Sequence, residues 1–265
     1  MAEDRGPYRP TPLLLGSMAL HAAGIAAVAA DPRRWRTVAG LLVANHVVLA
    51  AVSLWPRGQS LGPNLLRLPG TAARRDEVAL TFDDGPAPEI TPKVLDLLDQ
   101  AGMKATFFVI GRHVRACPEI AAEIARRGHR VENHTDTHPH LFACYPAPLL
   151  RREVERTQEA IEAATGRRPR LFRAPAGLRN PFLEWVLHRA DLRLVSWTRR
   201  GFDAVDPSPE AVTRRLLRGL GAGDILLLHD GRASGGGNPV VLETLPRVLD
   251  GLAARGLRSV PLPSP

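Results

Sequence analysis

The chain has 265 residues, enough for one large α/β domain with an appendage. Hydrophobic content of 45% is ample for a core, and two cysteines, Cys117 and Cys144, exclude a disulfide framework while leaving room for one bridge. The formal net charge of +8 comes from arginines spread along the chain; with no basic patch interleaved with aromatics, it suits an anionic envelope or membrane surface and not a nucleic acid.

Residues 11–30, TPLLLGSMALHAAGIAAVAA, and 37–55, TVAGLLVANHVVLAAVSLW, contain no Asp, Glu, Lys or Arg. Each approaches the roughly 20 residues needed to cross a bilayer core. Pro32 breaks the chain between them, beside Arg33, Arg34 and Arg36. This pattern predicts a transmembrane helical hairpin over residues 1–56. A pair of Ala-rich soluble helices would need a polar face, and neither run has one. His21, Asn45 and His46 are expected to contact the opposite helix. A signal peptide ending at Ala29 is the other reading, opposed by Glu3, Asp4 and the second apolar run. The arginine-rich turn favours a cytoplasmic turn, against the weaker pull of Arg5, Arg9, Arg57 and Arg67. Both ends then lie on the periplasmic or extracellular side of the cytoplasmic membrane.

Residues 57–76 read as a linker rich in Gly, Pro and Arg. From Val78 the pattern changes to alternating strands and helices. VALTFDD is a strand; TPKVLDLLDQAG is a helix with Thr91 as N-cap, Pro92 at its start and Gly102 at its end. KATFFVIG and HRVENHT are strands around the helix PEIAAEIARRG. The amphipathic helix PLLRREVERTQEAIEAATG closes at Gly166. PRLFRAP and LRLVSWT are strands around the helix NPFLEWVLHRA. A helix capped by Ser208, the strand DILLLHD, a helix from Pro239 to Gly256 and a last strand in RSVPL complete residues 77–265. Such alternation means parallel βα units.

Polar residues close one apolar strand run after another: Asp83 and Asp84, His134 and His138, Arg173, Asp203, and His229 with Asp230. Parallel α/β folds place their chemistry at these C-terminal strand ends. Each residue alone has a structural reading as a turn, cap or ion pair; their shared position is what argues for a site. His134 and His138, four apart, can share one side of a turn or short helix. Two neutral imidazoles and one carboxylate suit Zn2+ with an open fourth position. Asp83 or Asp84 supplies the carboxylate; side chains alternate along a strand, so one faces the metal and the other is free to act as a base. With His229 as an acid, the set fits metal-assisted hydrolysis of an amide or ester.

TFDDGP, HTDTH, RAPAG, WTRRGFD and LLLHD, in this order, resemble the five motifs of the polysaccharide deacetylase family, the NodB homology domain or carbohydrate esterase family 4. The resemblance covers roughly residues 77–260. It implies a distorted (β/α) barrel of fewer than eight strands, about seven here, behind the hairpin. It implies removal of N-acetyl groups from a glycan, or of O-acetyl groups as in some relatives. By the same resemblance, Asp83 is the general base, and Asp84, His134 and His138 ligate zinc or another divalent ion. Arg173 orients Asp83, and the backbone N–H of Ala176 receives the oxyanion. His229, held by Asp203, protonates the leaving amine, while Leu227 or Leu228 touches the acetyl methyl. Two positions depart from the family pattern: Ala176 and Ala204 stand where aromatic residues are usual. They open the groove toward a bulkier glycan or a lipid-linked sugar. His113, His129, His140 and His188 match no motif.

Overall fold

The computed structural model describes residues 6–73, 75–206, 208–231 and 239–263. Glu3 and Asp4, which bear on the signal-peptide reading, and Arg5, which bears on the orientation, lie outside the described residues. Thr11 opens the first helix, its hydroxyl accepting from the Leu14 N–H at 3.4 Å, with Pro12 in the first turn. This helix, α1 (Pro12–Ala30), and α2 (Trp35–Ser53) are joined by a 3-10 turn at Pro32–Arg34. Both are long and apolar enough to cross a membrane.

Several polar residues of the hairpin meet across it. Asn45 Nδ2 donates to Ser17 Oγ at 2.9 Å, and the rings of His21 and His46 meet edge to face at 5.3 Å. Gly24 permits the close crossing: a Cβ there would stand 2.8 Å from Val38 Cγ1. Small residues at the crossing and polar residues bonded across it are how apolar helices associate without a hydrophobic drive. Met18, Ile25, Val43 and Val47 point outward and are exposed.

The remainder is a curled sheet, parallel throughout, with helices between its strands. In chain order it comprises α3 (Gly70–Ala73), β1 (Glu77–Asp83), α4 (Thr91–Gln100), β2 (Ala105–Val109), α5 (Gly111–Ala116), α6 (Pro118–Arg126) and β3 (Arg130–Asn133). There follow α7 (Ala147–Thr165), β4 (Leu171–Phe172), α8 (Leu183–Arg189), β5 (Arg193–Leu194), β6 (Arg199–Arg200), α9 (Pro209–Leu217), β7 (Ile225–His229), α10 (Val240–Ala253) and β8 (Arg258–Ser259). The strand order is β5-β4-β3-β2-β1-β7-β6, with β8 on the start of β1. These seven strands and a short eighth agree with the distorted barrel expected from the sequence.

Period-2 alternation on the central strands separates two cores. Leu80, Phe82, Leu226 and Leu228 point to the helix layer, where they pack with Val94 and Leu245. Ala79, Ile225 and Leu227 point to the concave side with Phe108 and Trp197. Full burial of such side chains stabilises by about 1.5–3 kcal/mol each.

Three local expectations differ from the structure. Ile90, not Thr91, occupies the cap of α4, because the Thr91 hydroxyl is engaged elsewhere: it accepts from Ala87 N–H and donates to Asp230. LRLVSWT contains β5, a single bridge at Val195, an irregular stretch through Ser196–Thr198, and then β6 at Arg199–Arg200. Within the expected linker, residues 57–73 run along the fold, with Leu61 and Leu68 buried and Leu65 bridged to Val195. Both cysteines are free thiols.

Candidate active site

The strand ends expected to carry chemistry converge at the C-terminal edge of the sheet. Asp83 ends β1 and stands in register with His229, the last residue of β7. Arg173, directly after β4, is fully buried and reaches inward to meet Asp83: its Nη1 donates to Asp83 Oδ1 at 2.7 Å and to Thr81 Oγ1 at 2.8 Å. Nη2 donates to the Ser196 carbonyl at 3.1 Å, and the guanidinium lies 4.1 Å over the Phe108 ring. A buried cation needs such a set; burial alone lowers its pKa, and the Asp83 charge opposes that.

The arginine occupies Asp83 Oδ1 and leaves Oδ2 toward the histidines, 3.8 Å from His134 Nε2. Asp84 Oδ1 lies 3.4 Å from His134 Nε2 and 3.5 Å from His138 Nε2. Alternation predicted that only one of the two aspartates would face this point. Both do, because Asp84 leaves the strand at φ 77 and turns its carboxylate back. Of the turn or short helix that the His134–His138 spacing allows, the structure has the turn, in which Thr135 and His138 have φ of 68 and 51. The Thr135 hydroxyl accepts from His138 N–H at 3.1 Å and closes that turn.

Five of the seven described non-glycine residues at positive φ are Asp84, Thr135, His138, Ala176 and Phe202, all within the motif segments. Backbone held in a sparsely populated region persists where the surroundings enforce it, and such residues cluster at functional sites.

The donor set fits a metal. One atom each from Asp84, His134 and His138 lies within 4.8 Å of the others. His134 Nδ1 is 2.8 Å from the Arg173 carbonyl, to which it donates, so Nε2 carries the lone pair. Asp84 Oδ1 is buried without a hydrogen-bond partner. Burial pushes the Asp84 carboxyl up, but His134, His229 and His138 outweigh it and hold the group well below the usual carboxylate range.

His229 is held by Asp203, whose Oδ1 is 2.9 Å from Nδ1. Burial disfavours the imidazolium; Asp203, then Asp83 and Asp84, overcome it and raise the pKa to about 9. Leu227 shares the concave face with Asp83 and His229, whereas Leu228 turns into the helix layer. Ala176 sits at φ 53 in the loop after Arg173, and Gly177 beside it packs on Pro56 and Trp197.

Several supporting residues carry no motif signal of their own. Thr81 lies two residues before Asp83, hence on the same face, and period 2 was the available clue. His113 matches no motif, yet its Nδ1 is 2.9 Å from the Asp84 carbonyl, which it steadies from α5. Asp230 turns away from the cleft, accepts from Thr91 Oγ1 at 2.6 Å and abuts Gly85. Burial pushes its carboxyl up to about 7, with the Thr91 bond opposing and the Asp84 charge assisting. His129 is buried and bonds Ala105 N–H; His140 is exposed and His188 bonds the Gly6 carbonyl.

Residues 70–195 match the family model described as Polysaccharide deacetylase. The chain is 36% identical over 203 residues to a chitooligosaccharide deacetylase of Bradyrhizobium sp. (strain ANU 289), covering 73% of this chain and 92% of that one. It is 36% identical over 190 residues to a peptidoglycan-N-acetylglucosamine deacetylase of Bacillus cereus, covering 71% and 67% respectively. Among solved structures, the Bc1960 peptidoglycan N-acetylglucosamine deacetylase superposes with a TM-score of 0.69 at 32% identity, over 76% of this chain and 91% of that one. Sequence, fold and strand-end residues agree: the chain belongs to the polysaccharide deacetylase family, the hydrolases of carbohydrate esterase family 4.

Proposed function

We propose that this hydrolase removes N-acetyl groups from an amino-sugar glycan of the cell envelope, acting from the outer side of the cytoplasmic membrane to which the hairpin anchors it. The observation that carries the reading is the division of labour around Asp83. One of its oxygens is taken by buried Arg173, and the other faces the pocket of Asp84, His134 and His138. The relatives named for chitooligosaccharides and for peptidoglycan N-acetylglucosamine support an N-acetylated glycan.

Asp84, His134 and His138 hold a divalent metal in this reading, zinc by its preference for two imidazoles and a carboxylate. When bound, the metal supplies Lewis-acid polarisation of the acetyl carbonyl and a lowered pKa for water. Asp83 Oδ2 takes a proton from the attacking water while Arg173 keeps Oδ1 occupied. The Ala176 N–H donates to the oxyanion, an interaction of a kind worth about 3–4 kcal/mol. Protonated His229 gives its proton from Nε2 to the sugar nitrogen, with Asp203 on Nδ1 setting that tautomer. The C–N bond breaks, and acetate and the free amine leave. Leu227, on the concave face, receives the acetyl methyl.

The test is acetate release by the full-length protein with added zinc, across N-acetylglucosamine oligomers, envelope glycans and lipid-linked sugars, with acetyl-xylan as the ester control. Release from the N-acetylated substrates supports the reading. Release from acetyl-xylan alone makes it an O-acetyl esterase, and no release from any of them sinks the catalytic assignment. A C-terminal reporter that fluoresces only in the cytoplasm would overturn the orientation.

A further inference from the structure

Where the hairpin meets the catalytic fold, Trp55, Pro56 and Arg57 leave α2 and face the segment Trp197–Phe202. Between them is a cavity of about 780 Å³, also lined by Leu66 and Arg215. Four arginines line it, and they are not equivalent. Arg199 is committed to Asp224 and Arg215 to Asp206. Arg57 and Arg200 have no carboxylate partner among the described residues. Arg200 is stacked 5.2 Å from the Trp197 ring and 4.8 Å from the Phe202 ring, and its Nε is buried with no hydrogen-bond partner. A buried guanidinium N–H without an acceptor is costly, and the pair offers the forked donors that match phosphate oxygens.

The cavity also has a position. Trp55 lies just past the end of α2, 66% exposed, where aromatic residues mark the membrane–water interface. That is the level at which lipid phosphates sit. The same chain segment borders the catalytic residues: Phe202 precedes Asp203, which holds His229, and Trp197 lies 5.9 Å from the Arg173 guanidinium. Ala204, beside Asp203, is exposed.

We propose that this cavity is a phosphate subsite, and that the substrate is an N-acetylated amino sugar linked through phosphate to a membrane lipid. Arg57 and Arg200 bind the phosphate at the bilayer surface, and the sugar extends past Phe202 to His229. The substrate assignment rests on the deacetylase reading above; the phosphate subsite does not.

Two measurements on the full-length protein in detergent micelles separate these claims. The first follows tryptophan fluorescence during titration with polyprenyl-phosphate-linked N-acetylglucosamine. Octyl N-acetylglucosaminide serves as the uncharged comparator and phosphatidylglycerol as the bulk lipid. The wild type is expected to bind the phosphate-linked sugar at least tenfold more tightly than either. Arg57→Ala, an exposed substitution that leaves the fold intact, should remove about tenfold or more of that affinity, as should Arg200→Ala. Arg57→Lys should recover part of it, and binding of the uncharged glycoside should change less than twofold. Equal binding of charged and uncharged sugars, or unchanged affinity in both alanine variants, overturns the subsite. Equal affinity for phosphatidylglycerol gives the cavity to bulk lipid and overturns the substrate assignment.

The second measurement is acetate release from the same sugars, with soluble N-acetylglucosamine 1-phosphate added to test whether the lipid is needed. Selective binding without acetate release sinks the deacetylase reading and spares the subsite. Release that ignores both phosphate and Arg57 does the reverse.

Discussion

Asp203 grips His229 at two points: Oδ2 accepts from the backbone N–H at 2.7 Å, and Oδ1 from the ring Nδ1 at 2.9 Å. One carboxylate thereby fixes where the imidazole stands and which nitrogen faces the cleft. It also makes the largest favourable contribution to the imidazolium, against the cost of burial.

The first prediction is a pH profile. His229 is raised to about 9, above the usual value near 6.5, so its paired, charged form stabilises the fold fully below that usual value. The contribution is lost as pH rises through about 9. As proton donor, it should give kcat a basic limb near 9. Asp203→Asn should move that limb down by more than a unit and lower kcat at pH 8 by roughly 10- to 100-fold. A limb that stays in place in the variant would mean another group donates the proton.

The two adjacent aspartates should separate by metal titration. Asp83→Asn is expected to reduce kcat by about 10²–10⁴-fold while calorimetric zinc affinity changes little. Asp84→Asn should weaken zinc by at least about tenfold. Reversal of these two outcomes would exchange the roles of base and ligand.

Arg173 lies between catalysis and stability. Arg173→Met leaves Asp83 buried without its partner, which should cost about 3–5 kcal/mol in urea unfolding. Adding Asp83→Asn should restore part of that loss. A destabilisation under about 1 kcal/mol, or none regained in the double variant, would contradict a desolvated ion pair.

Two left-handed glycines make a matched test of the proposal that the Ala176 loop receives the oxyanion. Gly166, at φ +67, has open space around it, so Gly166→Ala should cost about 1 kcal/mol of stability and leave kcat unchanged. Gly177, at φ +75, would bring a Cβ to 2.6 Å from Pro56 Cβ and 2.7 Å from the Trp197 ring. Gly177→Ala should therefore displace the loop bearing Ala176 and lower kcat at least about tenfold with zinc affinity intact. Equal behaviour of the two variants would detach that loop from catalysis.

Much of this was legible in the sequence, for physical reasons. The strand–helix alternation and the hairpin follow from periodicity and uninterrupted apolar length. Asp83, His134, Arg173 and His229 were visible because parallel strands deliver their last residues to one edge. Backbone conformation was harder to read. Nothing in TFDDGP signals that Asp84 adopts φ 77, so the alternation rule sent one carboxylate away when both face His134. Long-range partners were also hidden: Thr91 reads as a cap until Asp230, 139 positions later, claims its hydroxyl. Likewise the composition of residues 57–76 reads as a linker and gives no sign that Leu61 and Leu68 are buried.

Pro56 is the first residue past the second apolar run, and it sits against Gly177 while its carbonyl accepts from Ser196 Oγ at 2.7 Å. The catalytic fold thus has no leash. An enzyme mounted this rigidly works at one height, within roughly its own radius of gyration, about 16 Å for a fold of this size. If the hairpin is embedded as proposed above, glycan strands farther out in the envelope would be harder for it to reach. On the membrane-anchored reading proposed above, this mounting favours acetyl groups presented near the bilayer surface, so deacetylation would come before the sugar leaves the membrane.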